Sequence, residues 1–234
     1  MSSIRIISKK EFLKQNKKPN QKKIWNLIAK PWKTYIVKKI SIVEEFLKDK
    51  KGFVLDLGCG AGRNMIPNPN AYYYGVDFSG NQLKQAEKYA KKNKIKAKFF
   101  ESSADDLSNF KNEMFDYGLF ISALHCLETK EKRKKAINEF YRVLKPNAEA
   151  LISVWDAEDK RFKSVNNHGD VYMSWKERGI NYMRYYYLFH KQEFLDIVKD
   201  TGFKILRFYE QRENDRFSKK NWIIRVEKNN IYKK

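Results

Sequence analysis

The sequence predicts a single α/β domain built on a mostly parallel sheet. Short apolar runs of strand length alternate along the chain with stretches whose apolar residues recur at helical spacing. The first run, 53–57, leads into three glycines at alternate positions in 58–62, and the second run, 72–76, ends in Asp77. A glycine turn after one strand and an acid at the tip of the next are typical of a nucleoside site at the edge of such a sheet.

The N-terminal part of the chain is expected to differ from the rest. Residues 1–20 are polar and rich in lysine, which predicts a basic arm that is either poorly ordered or forms one short helix. The domain then spans 21–234 and begins with helices over 21–50 that Pro31 divides. Aromatic residues on these helices could cover the site or simply pack in the core: Trp25, Trp32 and Tyr35.

The elements after Asp77 continue the alternation of strand and helix. We predict strands over 96–101, 114–121 and 150–155, and helices over 81–93, 129–144 and 191–201. Two last strands, 203–209 and 222–226, are predicted to form an antiparallel hairpin joined by a charged loop, 211–220. Residues 156–183 are polar and irregular, and we predict a lid or insertion there.

The composition excludes several classes of protein. Two cysteines and three histidines provide neither a disulfide framework nor a zinc ligand set, so we expect no metal site and a reduced, cytoplasmic setting. No stretch approaches the ~18 uninterrupted apolar residues of a membrane span, and the N-terminus lacks the apolar core of a signal peptide. No membrane partner is therefore expected.

The net charge of +21 leaves two interpretations open. It could reflect a genome-wide bias toward lysine codons, because the lysines are spread from Lys9 to Lys234. It could instead mark an RNA-binding surface, whose positive charges would cluster on one face of the fold and neutralise phosphates. The sequence does not choose between these two interpretations.

Asp77 and the glycine turn have a functional and a plainer interpretation. An acid at a strand tip can accept hydrogen bonds from both ribose hydroxyls, and the glycines let the backbone pass close to a bound group. The plainer alternatives are a tight turn without a ligand and an acid that caps the helix that follows. The two signals together favour the nucleoside site.

The two stretches resemble a known family. Asp-Leu-Gly-Cys-Gly-Ala-Gly at 56–62 and Gly-Val-Asp-Phe-Ser at 75–79 are similar to the class I S-adenosylmethionine-dependent methyltransferases. The NAD-binding enzymes space their glycines differently, as G-x-G-x-x-G. The resemblance implies a Rossmann-like fold with a seven-stranded, mostly parallel sheet, an antiparallel C-terminal strand and helices on both faces.

The same resemblance implies S-adenosyl-L-methionine as cofactor, with S-adenosyl-L-homocysteine as product. Ser103 stands where related enzymes usually carry the aspartate that holds the adenine amino group, so either Ser103 or Asp105 must do that work. The implied cofactor-binding residues are Asp56, Gly58, Cys59, Gly60, Gly62, Asp77, Phe78, Ser103, Ala104, Asp105 and Ser122.

A finer resemblance covers roughly residue 24 to the C-terminus. The segments 115–133 and 142–155, and above all Arg-Tyr-Tyr-Tyr-Leu-Phe at 184–189, look like the eukaryotic and archaeal tRNA methyltransferases that esterify 5-carboxymethyluridine at the wobble position. The chain departs from that family in having Tyr187 and Cys126 where histidines are usual. Members work with a small zinc-binding activator subunit that adds a strand to the sheet edge, which implies tRNA and such a subunit as partners.

The resemblance also implies the acceptor site. His125 and Arg184 would be its catalytic residues, and the acceptor-binding residues would be Trp155, Asp156, Tyr185 and Tyr186. An ionised carboxylate can attack a sulfonium methyl directly, so no general base is needed and positioning and charge supply the rate. The plainer interpretations are a surface cation at Arg184, a satisfied histidine at 125 and core aromatics.

Two other functions remain as alternatives. A small-molecule O-, N- or C-methyltransferase would have a closed apolar pocket and no basic face near the crevice. A non-catalytic protein on the same fold could bind RNA or a partner, although intact cofactor residues argue against it.

Overall fold

The computed structural model describes residues 4–35, 38–165, 168–209 and 220–229. Its helices and strands are, in chain order, β1 (Ile6–Ser8), α1 (Lys9–Leu13), α2 (Gln21–Tyr35), α3 (Ser41–Leu47), β2 (Gly52–Leu57), β3 (Ala71–Asp77), α4 (Gly80–Lys92), β4 (Ala97–Glu101), β5 (Phe115–Ile121), α5 (Lys130–Val143), β6 (Leu144–Trp155), β7 (Gly169–Glu177), β8 (Ile180–Leu188), α6 (Lys191–Lys199), β9 (Phe203–Tyr209) and β10 (Asn221–Lys228). Short 3₁₀ turns lie at Leu124–Cys126 and Lys160–Val165. The predicted loop 211–220 lies outside the described residues except at its last position.

Seven strands form the main sheet in the order β4, β3, β2, β5, β6, β10, β9. The neighbours from β4 to β6 are parallel, and β10 runs antiparallel to both β6 and β9. This confirms the predicted Rossmann-like sheet with one antiparallel C-terminal strand. Chain order reverses at β2, which lies between β3 and β5, and ligands of open α/β sheets bind at the carboxyl ends of the strands at such a point.

The strands alternate their side chains between two cores, one on each face of the sheet. Val54 of β2 packs with residues of α3 and α4, such as Phe46 and Leu83. Leu55, the next residue, packs with residues of α5 and α6, such as Phe140 and Phe194. Because both faces are covered, the central strands are apolar throughout, as a parallel sheet requires. No helix in the described part of the chain is long and apolar enough to cross a membrane.

A second, three-stranded sheet corrects two predictions. Its order is β1, β7, β8, and all its pairs are antiparallel. The segment 1–20, expected to be a poorly ordered arm or one short helix, contains a paired strand in addition to the short helix α1, whose Phe12 packs on Tyr172 with ring centroids 4.7 Å apart. The segment expected to be an irregular lid, 156–183, contains β7 and the start of β8. A long-range pairing of this kind leaves no local signal in a lysine-rich sequence.

The predicted break at Pro31 is also wrong. Pro31 lies inside α2, which continues to Tyr35 before α3 begins at Ser41. An interior proline costs a helix about 3 kcal/mol. Packing offsets this cost, because the ring of Trp32, one residue further on, contacts the rings of Trp25 and Trp175 at centroid distances of 5.2 and 5.3 Å.

Candidate functional site

The predicted cofactor residues meet where β2 and β3 end. The N–H groups of Gly58 and Cys59 both donate to the carbonyl of Val76, at 2.7 and 3.0 Å. Gly58 and Gly60 have φ values of +72° and +51°, which L-residues with side chains rarely adopt. A Cβ at Gly58 would also collide with the Cβ of Ala123. The turn therefore passes too close to the loop after β5 for a residue other than glycine.

Asp77 ties this turn to the tip of β3. Its two carboxylate oxygens accept the N–H groups of Gly60 and Ser79, each at 2.9 Å. The helix cap is Ser79, whose side chain accepts the N–H of Gln82, so the alternative of Asp77 as the N-cap of α4 is wrong. Burial raises the pKa of Asp77 to about 6, although the two backbone N–H groups oppose the rise. A hydrogen-bond donor from a ligand would relieve this penalty.

Asp56 and Cys59 lie beneath the turn. Asp56 has no exposed surface, and one of its oxygens accepts the side-chain amide of Asn64 at 3.3 Å. Burial raises the pKa of Asp56 to about 7, and the nearby Arg63 guanidinium opposes this. Burial also raises the pKa of the Cys59 thiol, which makes it an inert packing group.

Gln82 is a residue of this site that the sequence patterns did not predict. Its side chain is buried, yet neither its amide nitrogen nor its amide oxygen has a hydrogen-bond partner. The atom nearest to a Cβ built on Gly60 is the Gln82 amide oxygen, 3.9 Å away, so open space lies between the turn and this amide. A buried amide without partners is costly unless a ligand satisfies it. The residues present therefore fit a polar nucleoside cofactor.

The adenine side of the site contains the pair that the sequence left open. The hydroxyl of Ser103 donates to the carboxylate of Asp105, so the two candidates form one unit at the end of β4. Phe78 and Ala104 are half-buried beside it. Ser122 begins the loop after β5 with φ +54°, and its N–H group bonds to the carbonyl and hydroxyl oxygens of Ser153.

The guanidinium of Arg184 lies in an aromatic enclosure that we call the arginine cage. The side chain is only 3% exposed. Rings of four residues surround its guanidinium carbon at centroid distances of 4.8 Å (Trp32), 5.4 Å (Trp175 and Tyr186) and 5.8 Å (Trp25). Nη1 donates to the Tyr186 hydroxyl at 2.8 Å, and Nε is buried without a partner. No ion pair to Arg184 is found among the described residues.

His125 and Trp155 lie against the arginine cage. His125 is buried, its Nδ1 accepts the backbone N–H of Trp155 at 3.1 Å, and burial lowers its pKa to about 3, with help from Arg161. The imidazole is therefore neutral and carries its proton on Nε2. The ring centroids of Trp155 and Tyr186 lie 4.0 Å apart, and His125 lies 4.9 Å from Trp155. His125 can orient a group but cannot act as a cation at neutral pH.

Cys126 connects the two halves of the site. Burial raises the pKa of its thiol to about 12, Arg184 lowers that pKa, and Asp77 raises it. Both charges therefore act on the same side chain. A cofactor site at Asp77 and an acceptor site at the arginine cage would both lie near Cys126, beyond the carboxyl ends of the strands.

Two further predicted acceptor residues, Tyr185 and Asp156, make other contacts. Tyr185 points to the opposite face of β8 from Arg184 and Tyr186, where its hydroxyl bonds to Asp170 and accepts a hydrogen bond from Arg133. Asp156 is 4% exposed and accepts the N–H of Glu158 at 2.7 Å, which shapes the turn after β6. The alternation of strand residues between faces explains the position of Tyr185, because only 184 and 186 share a face.

Comparison with known proteins agrees with the fold. Residues 54–147 match the family described as "Methyltransferase domain". A solved S-adenosylmethionine-dependent methyltransferase from Clostridium acetobutylicum superposes with a TM-score of 0.66 at 17% identity, over 88% of this chain and 99% of that one. The chain therefore carries a methyltransferase domain on the fold of the class I S-adenosylmethionine-dependent enzymes, and S-adenosylmethionine is the methyl donor that this fold and domain support.

Curated relatives narrow the resemblance to one group. The chain is 29% identical to a tRNA (carboxymethyluridine(34)-5-O)-methyltransferase of Schizosaccharomyces pombe, over 86% of this chain and 89% of that protein. It is 30% identical to the protein of the same name in Saccharomyces cerevisiae, over 65% of this chain and 55% of that protein. The resemblance found in the sequence is thereby confirmed.

Asp77 should make cofactor binding depend on pH. Its ionised form accepts the ribose hydroxyls, so protonation competes with binding. Because its pKa is about 6, we expect the affinity for S-adenosylmethionine to be constant above that pH, and to fall by about tenfold per unit below it. Calorimetric titration from about pH 5 to about pH 8 measures this. Asp77→Asn should bind weakly without the step near pH 6, and an unchanged step in that variant would assign the titration to another group.

Gln82 should matter for the cofactor and not for folding. Gln82→Leu removes two buried atoms that lack partners, so we expect the free energy of unfolding to stay unchanged or rise by about 1–2 kcal/mol. The dissociation constant for S-adenosylmethionine should rise at least about tenfold, the value of one good hydrogen bond. Gln85→Leu, on the same helix, is the matched control and should leave affinity unchanged. Loss of stability with intact cofactor binding would make Gln82 a structural residue.

Proposed function

We propose that this enzyme transfers the methyl group of S-adenosylmethionine to the carboxylate of 5-carboxymethyluridine at the wobble position of tRNA. The observation that carries the proposal is Arg184, a buried cation beside the cofactor crevice. The similarity to the two yeast tRNA (carboxymethyluridine(34)-5-O)-methyltransferases supports the nucleoside. The cytoplasm is the compartment in which we expect the reaction.

The contacts of Arg184 suit an anionic acceptor. Burying a guanidinium without a counter-charge costs several kcal/mol, and the cation–π contacts of the arginine cage recover about 0.5–2 kcal/mol each. The buried Nε of Arg184 has no hydrogen-bond partner among the described residues. A carboxylate that arrives with the acceptor would supply both the missing charge and an acceptor oxygen for the guanidinium.

The chemistry that remains for the protein is placement of the acceptor. When bound, S-adenosylmethionine supplies an electrophilic methyl group on a sulfonium. A carboxylate is already ionised at neutral pH, so no residue has to remove a proton, and the neutral His125 is consistent with this. Arg184 holds one carboxylate oxygen and leaves the other free to attack, while Trp155 and Tyr186 offer a surface on which an extruded uracil can stack.

A small zinc-binding activator subunit is part of the proposal. By resemblance, it adds a strand to an edge of the main sheet, and β4 is one of the two edge strands. A row of aromatic side chains leads to this edge. Phe53 is 41% exposed, its ring lies 5.5 Å from that of Tyr74, and Tyr74 stacks on Phe100 of β4 at 6.0 Å. Apolar surface beside an unpaired strand edge suits a permanent partner.

The nucleoside is tested directly by labelling. Purified enzyme, with and without the activator, is incubated with labelled S-adenosylmethionine and tRNA that lacks the final methylation, and the digested nucleosides are identified by mass. We expect label on the ester of 5-carboxymethyluridine, and more of it with the activator. Label on another base, or on a small metabolite alone, would exclude the proposed acceptor. Full activity of the isolated chain would exclude the requirement for the activator.

Arg184 should affect the acceptor and not the cofactor. Arg184→Gln removes the charge, and we expect kcat/KM for tRNA to fall by about 10²–10³-fold, as for loss of a charged contact at a reacting group. Arg184→Lys keeps a charge but loses the planar fork, so its activity should be intermediate. The dissociation constant for S-adenosylmethionine should stay unchanged in both variants. Equal losses of cofactor and tRNA binding would mean that Arg184 supports the fold.

A further inference from the structure

The N-terminal basic segment, residues 4–35, is the most positively charged part of the described structure. It contains ten lysine and arginine residues and one acidic residue, Glu11. It therefore carries nine of the 21 excess positive charges of the chain in 32 residues. A uniform bias toward lysine codons would place about three there. The excess positive charge is therefore concentrated in this segment, which is what a nucleic-acid-binding surface requires.

This segment is held in place by contacts along its whole length. Ser8 and its neighbours pair with β7, and Phe12 packs on Tyr172. The buried side chain of Gln21 donates to the carbonyl of Met183 at 3.2 Å and accepts the N–H of Tyr185 at 2.9 Å. Ordered lysines lose less conformational freedom on binding than lysines of a flexible tail.

The segment also borders both halves of the crevice. At the cofactor side, the Asn26 side-chain oxygen accepts the Ser79 hydroxyl and the Asn81 N–H, at 2.9 and 3.0 Å. At the acceptor side, Trp25 and Trp32 form part of the arginine cage. A macromolecule that binds this segment therefore lies across the opening through which an acceptor must enter.

The lysines of the N-terminal basic segment include several that are free to contact phosphates. Four lysines of the segment make ion pairs: Lys9 with Asp170, Lys14 with Glu11, Lys18 with Glu128 and Lys22 with Glu101. Lys10, Lys17 and Lys23 are exposed and make no ion pair with any described residue. Lys23 also lines a shallow depression, together with Asn20, Lys22, Asn26, Leu27 and Asn81. Ammonium and amide donors in one concave surface are the groups that contact phosphate and sugar oxygens.

We propose that the N-terminal basic segment is the docking surface for the sugar–phosphate backbone of the RNA acceptor, and that it presents the RNA to the arginine cage. This inference rests on the proposed function for the identity of the RNA. The segment contributes positioning without sequence discrimination, because phosphate contacts carry no sequence information.

The test compares two triple variants of the full-length chain. Lys10→Gln, Lys17→Gln and Lys23→Gln remove three exposed charges of the segment. Lys48→Gln, Lys91→Gln and Lys199→Gln are the matched control, since these exposed lysines follow or end helices at the amino-terminal edge of the main sheet. Binding of an unmodified tRNA transcript is measured against salt concentration, together with S-adenosylmethionine binding and tRNA methylation.

We expect the segment variant to bind tRNA at least about tenfold more weakly and to lose about two to three units of the slope of log affinity against log salt. The control variant should keep the wild-type slope, and both variants should bind S-adenosylmethionine normally. If both variants lose the same tRNA affinity and salt slope, the docking surface is wrong. The proposed function still stands in that case, provided that the wild type methylates the wobble uridine. If only the segment variant loses salt slope and the wild type does not methylate the wobble uridine, the docking surface is supported and the proposed function is wrong. Binding to phosphatidylserine vesicles that depends on the segment, without tRNA binding, would overturn an RNA surface in favour of a membrane.

Discussion

The hydrogen bond from Gly60 to Asp77 is the constraint on which the rest of the site depends. It closes the turn after β2 onto the tip of β3, and the φ values of the two glycines are those that the closure requires. The same turn also packs against Ala123 in the loop after β5. Three strand tips are therefore held close together by a hydrogen bond from the backbone to the Asp77 carboxylate and by close packing against Ala123, and such rigidity is what a transfer between two bound groups needs.

Burial of charge is the cost of this arrangement. Asp56 and Asp77 both have raised pKa values because the turn and α4 exclude water from them. Arg184 is buried at the other side of the same crevice, with aromatic rings in place of a counter-charge. Isolated charges of this kind destabilise a folded chain unless something compensates them. Ligands that bring hydroxyl donors to Asp77 and a carboxylate to Arg184 would complete the structure, so substrate binding and local stability are coupled.

The sequence predicted the main sheet well and the second sheet poorly, for a physical reason. Glycine spacing, the acid at 77 and the apolar runs are local signals that parallel βα units always produce. The pairing of Ile6–Ser8 with β7 joins residues far apart in a chain dominated by lysine, and no local pattern marks it. Pro31 predicts a helix break that does not occur, because the packing of Trp32 outweighs the low helix propensity of proline.

The residues of the candidate site also fall into two groups, those that a local sequence pattern predicts and those that only the structure reveals. Cofactor residues follow from a contiguous motif, whereas Gln82 becomes visible only as a buried amide without partners. The resemblance assigns all three residues of the segment 184–186 to the acceptor site, but a strand presents only alternate residues to one face of a sheet. Arg184 and Tyr186 therefore share one face of β8, where they are hydrogen-bonded to each other, and Tyr185 lies on the other face with Asp170.

Helix α2 unites the two halves of the crevice in one rigid element. Its Asn26 fixes the start of α4 directly after Asp77, and its Trp25 and Trp32 enclose Arg184. A small shift of this helix would change the cofactor side and the acceptor side together. Because the helix lies within the most basic segment of the chain, binding of an anionic macromolecule to that segment would act on both sites at once. The position of α2 is thus a constraint that Asp77 and Arg184 share, because the helix contacts the surroundings of both.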